Sequence, residues 1–227
     1  RAAPSAGAWR VDGAAAYALT AGVTLAPVVD PTDATSGVYQ MQFSNNGTLW
    51  SAWEEYSSSK AWNLVTGEGG TTTEGARTVR FRVRDRALNV SATVDDSIIY
   101  DATAPTSGAW YVNAGNPTYT NSAVVNIVAA TAPADSGSGI AQIRFSNNGG
   151  AAWSAWEAYG TPKAWDLQTG AGGSATQGTR AVTVQVMDGA GRTSATTSDS
   201  IVYDYSAPSP GAWQISGTTV YTNAASH

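Results

Sequence analysis

Two aromatic clusters carry the most distinctive chemistry in this chain: Trp50-Ser51-Ala52-Trp53-Glu54-Glu55-Tyr56 and Trp153-Ser154-Ala155-Trp156-Glu157-Ala158-Tyr159. An indole offers a broad flat face to a sugar ring, and a neighbouring Glu or Tyr can bond its hydroxyls. The same residue types are enriched where one subunit covers another. Trp53, Tyr56, Trp156 and Tyr159 are therefore the candidate residues for an interface or a glycan contact, with packing inside their own domain as the default. Positions three apart on a strand point to opposite faces. One Trp of each pair, Trp50/Trp53 and Trp153/Trp156, is accordingly expected in the core and the other outside.

The carboxylates offer a second kind of chemistry. Asp30, Asp33, Asp85, Asp95, Asp96 and Asp101 gather toward loops and the end of the first hundred residues, with Asp135, Asp188, Asp199 and Asp204 in the second. Calcium takes six to eight oxygens, so loop or junction Asp can hold it. No Asp-x-Asp-x-Asp loop is present and Ala132 stands opposite Asp30, so solvated, turn-forming Asp is the default and no cofactor is expected. Glu54, Glu55 and Glu157 have the residue type for glycoside hydrolysis, but the longest loop candidate, residues 66–76, is mostly Gly and Thr. Such loops give little room for a substrate cleft.

Other sites are closed by composition. With no Cys there is no thiolate nucleophile, disulfide or Cys-ligated metal, and the single His is residue 227. A net charge of −5 argues against a nucleic-acid partner. No apolar run reaches the roughly 18 residues of a membrane helix. Arg77, Arg80, Arg82, Arg84 and Arg86 form a stripe in the first half alone, expected to pair with Asp95 and Asp96 or to meet an acidic neighbour. Asn46-Gly47-Thr48 and Asn89-Val90-Ser91 match glycosylation sequons, in segments where Asn already favours turns. The chain opens at Arg1 with no initiator Met or signal segment, which reads as an excised or processed piece.

The elements that position these residues come from an internal repeat. Ala8-Trp9 returns as Ala109-Trp110 and Ala212-Trp213, and Phe43-Ser44-Asn45-Asn46-Gly47 as Phe145-Ser146-Asn147-Asn148-Gly149. Asp96-Ser97-Ile98-Ile99-Tyr100-Asp101 returns as Asp199-Ser200-Ile201-Val202-Tyr203-Asp204. The offset drifts only from 101 to 103. Four Trp per unit, with Trp213, account for all nine. The organisation is thus repeat 1 over 1–103, repeat 2 over 104–206, and the first strand of a third repeat over 207–227, truncated or donated to a neighbour. Each boundary reads Tyr-Asp-x-x-Ala-Pro, and Pro predicts a short, stiff linker.

Within a unit the apolar period is two. Val79, Phe81 and Val83 alternate with Arg80, Arg82 and Arg84, and Val182, Val184 and Val186 repeat that inward set. Asn-Asn-Gly after Phe43 and Phe145 supplies the positive φ a tight turn needs. No window shows helical spacing over ten residues. About seven strands per hundred residues predict an all-β antiparallel sandwich.

Taken together, the Ala-Pro and Trp start, Ser-Gly-Ile/Val, Phe-Ser-Asn-Asn-Gly, Trp-Ser-x-Trp-Glu-x-Tyr, Lys-x-Trp-x-Leu and Tyr-Asp-x-x-Ala-Pro resemble the tandem Ig-like (fibronectin-III-like) repeats of large bacterial and archaeal surface proteins. The resemblance covers essentially the whole chain. It implies tandem Ig-like sandwiches arranged as a rod, without an active site, in an extracellular or cell-surface filament subunit or stalk that self-associates. The alternatives are an adhesin or polysaccharide-binding module, and a spacer in a larger secreted or phage-tail protein. Ser146-x-Asn148-x-Gly150-x-x-Trp153 is similar to an Asp-box hairpin with Asn for Asp, which implies a turn-stabilising role.

Overall fold

The computed structural model describes residues 2–115 and 118–211. The first unit contains β1 (Ala8–Val11), β2 (Tyr17–Ala18), β3 (Gly22–Val29), β4 (Val38–Ser44), β5 (Glu54–Glu55), β6 (Lys60–Asn63), β7 (Gly75–Asp85) and β8 (Val94–Tyr100). The second repeats them as β9 (Ala109–Val112), β10 (Tyr119–Thr120), β11 (Val124–Thr131), β12 (Ile140–Ser146), β13 (Glu157–Ala158), β14 (Lys163–Asp166), β15 (Gly178–Asp188) and β16 (Thr197–Tyr203). The predicted strand of a third repeat lies mostly in residues 212–227, outside the described residues.

In each unit a three-stranded sheet packs on a five-stranded one. The orders are β1-β3-β6 on β2-β8-β7-β4-β5, and β9-β11-β14 on β10-β16-β15-β12-β13. This is an Ig-like sandwich in which the leading segment divides its pairing between the two sheets. The division adds one feature to the antiparallel pattern: β2 runs parallel to β8, and β10 to β16. Asp96 and Asp199 fasten the split, each accepting a backbone N–H of the leading strand, from Val11 and Val112, at 2.9 Å.

The inward alternation of β7 builds the first core. Val79, Phe81 and Val83 are buried with Trp9, Leu25, Phe43 and Leu64. Trp9 stacks on Phe81 at 5.4 Å between centroids and meets Phe43 edge-on at 5.7 Å. The second core uses Val184 at the place of Phe81 and relies on Trp110, Phe145, Trp165 and Leu167. Each core indole still has a polar partner for its N–H: Trp9 donates to the Ala6 carbonyl and Trp62 to Oδ1 of Asn45. That bond removes the penalty of burying a donor.

The Asn-Asn-Gly turns behave as hairpin devices. Oδ1 of Asn46 accepts the N–H groups of Thr48 and Leu49, both at 2.9 Å, and Oδ1 of Asn148 accepts that of Ala152 at 2.8 Å. Gly47 sits at φ 78°, a left-handed conformation that glycine adopts without strain.

Candidate functional site

The four Trp of the aromatic clusters do not divide between core and surface as parity predicts. Trp50, Trp53, Trp153 and Trp156 are all half-buried on the outer face of the five-stranded sheets. Parity fails because residues 50–53 and 153–156 carry no strand pairing. Ser51 instead bonds β4 with its side chain as well as its backbone: its hydroxyl accepts the Phe43 N–H at 3.1 Å and its own N–H donates to the Phe43 carbonyl at 2.9 Å. Ser154 treats Phe145 in the same way, at 3.0 and 2.9 Å.

Arginine fills the space between the indoles. The Arg82 guanidinium lies 3.9 Å from the Trp50 ring and 5.6 Å from Trp53, and Arg84 lies 4.5 Å from Trp53. In the second unit Arg144 lies 4.4 Å from both Trp153 and Trp156. Such stacking is favourable by about 0.5–2 kcal/mol, depending on desolvation. The two ladders draw their Arg from different strands. In the first, Arg82 of β7 donates to Gln42 of β4 at 2.8 Å; in the second, Arg144 of β12 donates to Gln185 of β15 at 3.0 Å. Gln42 and Arg82 face one another in register, as do Arg144 and Gln185, so the pair has changed sides while the cation has kept its place.

Four of the five stripe residues, Arg77, Arg82, Arg84 and Arg86, therefore lie against aromatic rings, and none of the stripe forms an ion pair with Asp95 or Asp96. Arg86 lies 5.3 Å from the Tyr39 ring and Arg77 5.9 Å from Tyr100, while Asp96 pairs with Arg10 at 3.0 Å. Tyr56 and Tyr159 turn the other way, packing on the two cores beside Trp9 and Trp110. Burial raises the pKa of both phenols, and for Tyr56 the hydrogen-bonded Asp30 adds to the rise. The candidate quartet Trp53, Tyr56, Trp156 and Tyr159 thus divides between an Arg-covered outer face and the core rim. Glu54 and Glu157 pair with Lys60 and Lys163 at 2.6 and 3.5 Å. Of the sequon residues, Asn46 uses its Oδ1 to accept from its own turn, while Asn89 commits its Nδ2, donating to Asp85 at 2.7 Å.

A second constellation lies between the units. Asp101, directly after β8, is fully buried, and β15 ends on the buried Asp188. Asp135, in the loop after β11, faces them. One oxygen from each of these three carboxylates lies within 4.8 Å of the others. Ser138 donates its N–H at 3.0 Å, and its hydroxyl, to Oδ2 of Asp101. Close approach is required here: a Cβ on Gly137 would fall 2.5 Å from the Asp101 carboxyl carbon. One on Gly189 would fall 3.0 Å from the Tyr17 hydroxyl of the first unit.

Arg192 and Glu74 complete the junction. The Arg192 guanidinium crosses to the first unit, donating to the carbonyl of Leu19 at 2.6 Å and of Asp101 at 3.3 Å. Glu74 accepts the N–H groups of Ala102 and Thr103 at 2.7 and 2.8 Å, the Thr103 hydroxyl at 2.8 Å, and the Ser136 hydroxyl of the second unit at 2.9 Å. Burial alone would raise the Glu74 pKa, but these hydrogen bonds outweigh it and hold the pKa below the ordinary value. The sequence marks Asp101, Asp135 and Asp188 as candidates, but neither Arg192 nor Glu74. The available signal for Arg192 is that it stands where the first repeat has Asn89.

No protein-family model matches the chain, and no curated protein does. Among solved structures, similarity is found to the fibronectin(III)-like modules of Clostridium thermocellum CbhA, with 14% identity, TM-score 0.38, and 86% of this chain and 93% of that one covered. A tetra-tandem repeat in the extending region of a large adhesion protein matches at 16% identity and TM-score 0.32, over 89% of this chain and 50% of that one. The chicken CNTN1 FN1–FN3 domains match at 11% and 0.41, over 88% and 68%. The strand order and the duplicated sequence define two tandem Ig-like sandwiches. No helix among the described residues is long and apolar enough to cross a membrane.

Proposed function

We propose that this chain is a non-enzymatic structural repeat of an extracellular prokaryotic surface protein, in which Ig-like units are joined at a set angle to form a stalk or filament shaft. The observation that carries this reading is the junction. Arg192, Ser136 and Ser138 of the second unit hold Leu19, Glu74 and Asp101 of the first, at the end of a Pro-containing linker. Domains of one chain move against one another by default unless their interface is large and hydrophobic, so here the restraint is assigned to the short Pro-containing linker and to these polar contacts. Contacts of this kind serve a spacer, whose task is to keep distance. The polysaccharide-binding alternative through Trp53 and Trp156 is less favoured, because a guanidinium already occupies their ring faces.

Small-angle scattering of the wild-type chain and of a Glu74→Ala/Arg192→Ala variant tests the reading. A single arrangement of the two units should fit the wild-type curve, while the variant should need a mixture of arrangements. A wild-type curve that itself needs a broad mixture would contradict it.

A further inference from the structure

We propose that the junction is a divalent-cation site in which calcium is held by Asp101 of the first unit together with Asp135 and Asp188 of the second. The inference rests on the reading of the junction as the element that fixes one unit against the next. Three acidic residues near one another are not enough for a site, and here the state of their oxygens supplies the rest. Each carboxylate has one oxygen engaged and one left bare. Oδ2 of Asp135 accepts the N–H groups of Gly137, Ser138 and Gly139, at 3.1, 2.9 and 2.7 Å. Oδ2 of Asp101 is held by Ser138, and Oδ1 of Asp188 accepts the Arg192 N–H at 2.8 Å. The opposite oxygens, Oδ1 of Asp101, Oδ1 of Asp135 and Oδ2 of Asp188, are buried without a hydrogen-bond partner.

Asp101 and Asp188 are only 0 and 1% exposed, so water cannot solvate their charge freely. Buried carboxylates in native proteins are paired or bind metal. The nearby cation does not pair with them, since the Arg192 guanidinium is spent on the carbonyls of Leu19 and Asp101. A donor set made only of oxygen selects a hard cation over zinc or copper. Carboxylates from separate loops, with the remaining positions open to water, suit calcium's variable coordination better than magnesium's strict octahedron.

The first unit is an internal control. Asp33 and Asp85 stand where Asp135 and Asp188 stand in the second. There Oδ2 of Asp85, the oxygen corresponding to the bare one of Asp188, accepts Nδ2 of Asn89. The site is therefore assembled only where two units meet, and a bound cation would favour their docked arrangement by mass action.

Calorimetric titration of calcium chloride into the chelator-treated chain tests this. One equivalent should bind, and Asp101→Asn, Asp135→Asn and Asp188→Asn should each weaken binding by roughly tenfold or more, while Asp33→Asn leaves it unchanged. Asp135→Asn, at the more exposed ligand, keeps the test valid if the buried substitutions unfold the chain. Absence of binding up to about 10 mM calcium, above the usual range of extracellular modules, would overturn the proposal, as would binding that all three substitutions leave intact. Scattering reads the junction separately. One fixed arrangement without calcium uptake would discard the cation and keep the spacer, whereas units that move freely until calcium binds at these three carboxylates would keep the cation and discard the reading of the hydrogen-bonded junction as sufficient by itself.

Discussion

The turn after β7 and the turn after β15 are the same segment written twice, Asp85-Arg86-Ala87-Leu88-Asn89 and Asp188-Gly189-Ala190-Gly191-Arg192. In the first, burial would raise the Asp85 pKa, but hydrogen bonds from Asn89, Ala87 and Ser36 overcome it and the pKa is lowered. In the second, burial raises the Asp188 pKa, and the carboxylates of Asp101 and Asp135 raise it further against the opposing backbone bonds. Three of the five positions differ, and two of the changes make the interface: Gly189 in place of Arg86 admits the Tyr17 hydroxyl, and Arg192 in place of Asn89 turns a self-sufficient turn into half of a junction. The Asn closes its own carboxylate; the Arg leaves it open and reaches for the neighbouring unit. In this chain the chemically unusual groups lie between the units, and each unit's interior is devoted to packing.

The largest effect that separates the units is expected in the cores. Trp9 stacks on Phe81, whereas Val184 takes that place in the second unit. Trp9→Ala should therefore cost about 4–5 kcal/mol and Trp110→Ala nearer 3, measured by urea unfolding. Equal costs would remove the distinction. Next comes the Arg ladder. Arg82→Gln should destabilise the first unit by about 1–2 kcal/mol, and adding Gln42→Arg should restore most of the loss by rebuilding the second unit's arrangement. A double variant no better than the single would show that the exchange of sides is coincidental.

Arg192→Asn gives the second turn the Asn that closes the first. It should close Oδ2 of Asp188, release Leu19 and Asp101, and cost the docked state about 1–2 kcal/mol, read as faster hydrogen exchange in the linker 102–105. Glu74 tests the junction by pH. Because its pKa is lowered in the folded chain, its contribution is complete above the ordinary Glu range and is lost as pH falls through the folded value. The stability gap between wild type and Glu74→Gln, about 1 kcal/mol at neutral pH, should shrink in acid, and a gap that widens would have the wrong sign. The smallest effect belongs to Leu88, exposed at φ 65°, where the second unit has Gly191 at φ 86°. Leu88→Gly should stabilise the first unit by up to about 1 kcal/mol, the relief of backbone strain exceeding the entropy cost of glycine.

Much of this fold was legible in the sequence. Alternation at Val79, Phe81 and Val83 and the Asn-Asn-Gly turns identify strands and hairpins because both are local signals. The repeat offset then supplies the second unit. Parity misplaces the Trp pairs because it presumes a strand, and Ser51 and Ser154 replace strand pairing with side-chain bonds. Arg144 carries no local signal for a related reason: its role depends on Gln185 of the neighbouring strand. The acidic residues were visible one by one. That Asp101, Asp135 and Asp188 converge, while Asp30 goes to Tyr56 and Asp96 to Arg10, depends on how two folded units meet, and no local pattern encodes that.

The central claim is that the junction holds the two units in one arrangement. Having no Cys, the chain accepts a clean pair of spin labels at the exposed positions Ser58→Cys and Thr196→Cys. Their distance distribution, measured by pulsed dipolar spectroscopy with calcium and with chelator, tests the claim most directly. The account predicts one narrow distribution with calcium that broadens when the metal is removed, and broadens further with Arg192→Asn. A distribution broad under both conditions, and indifferent to Arg192→Asn, would contradict it.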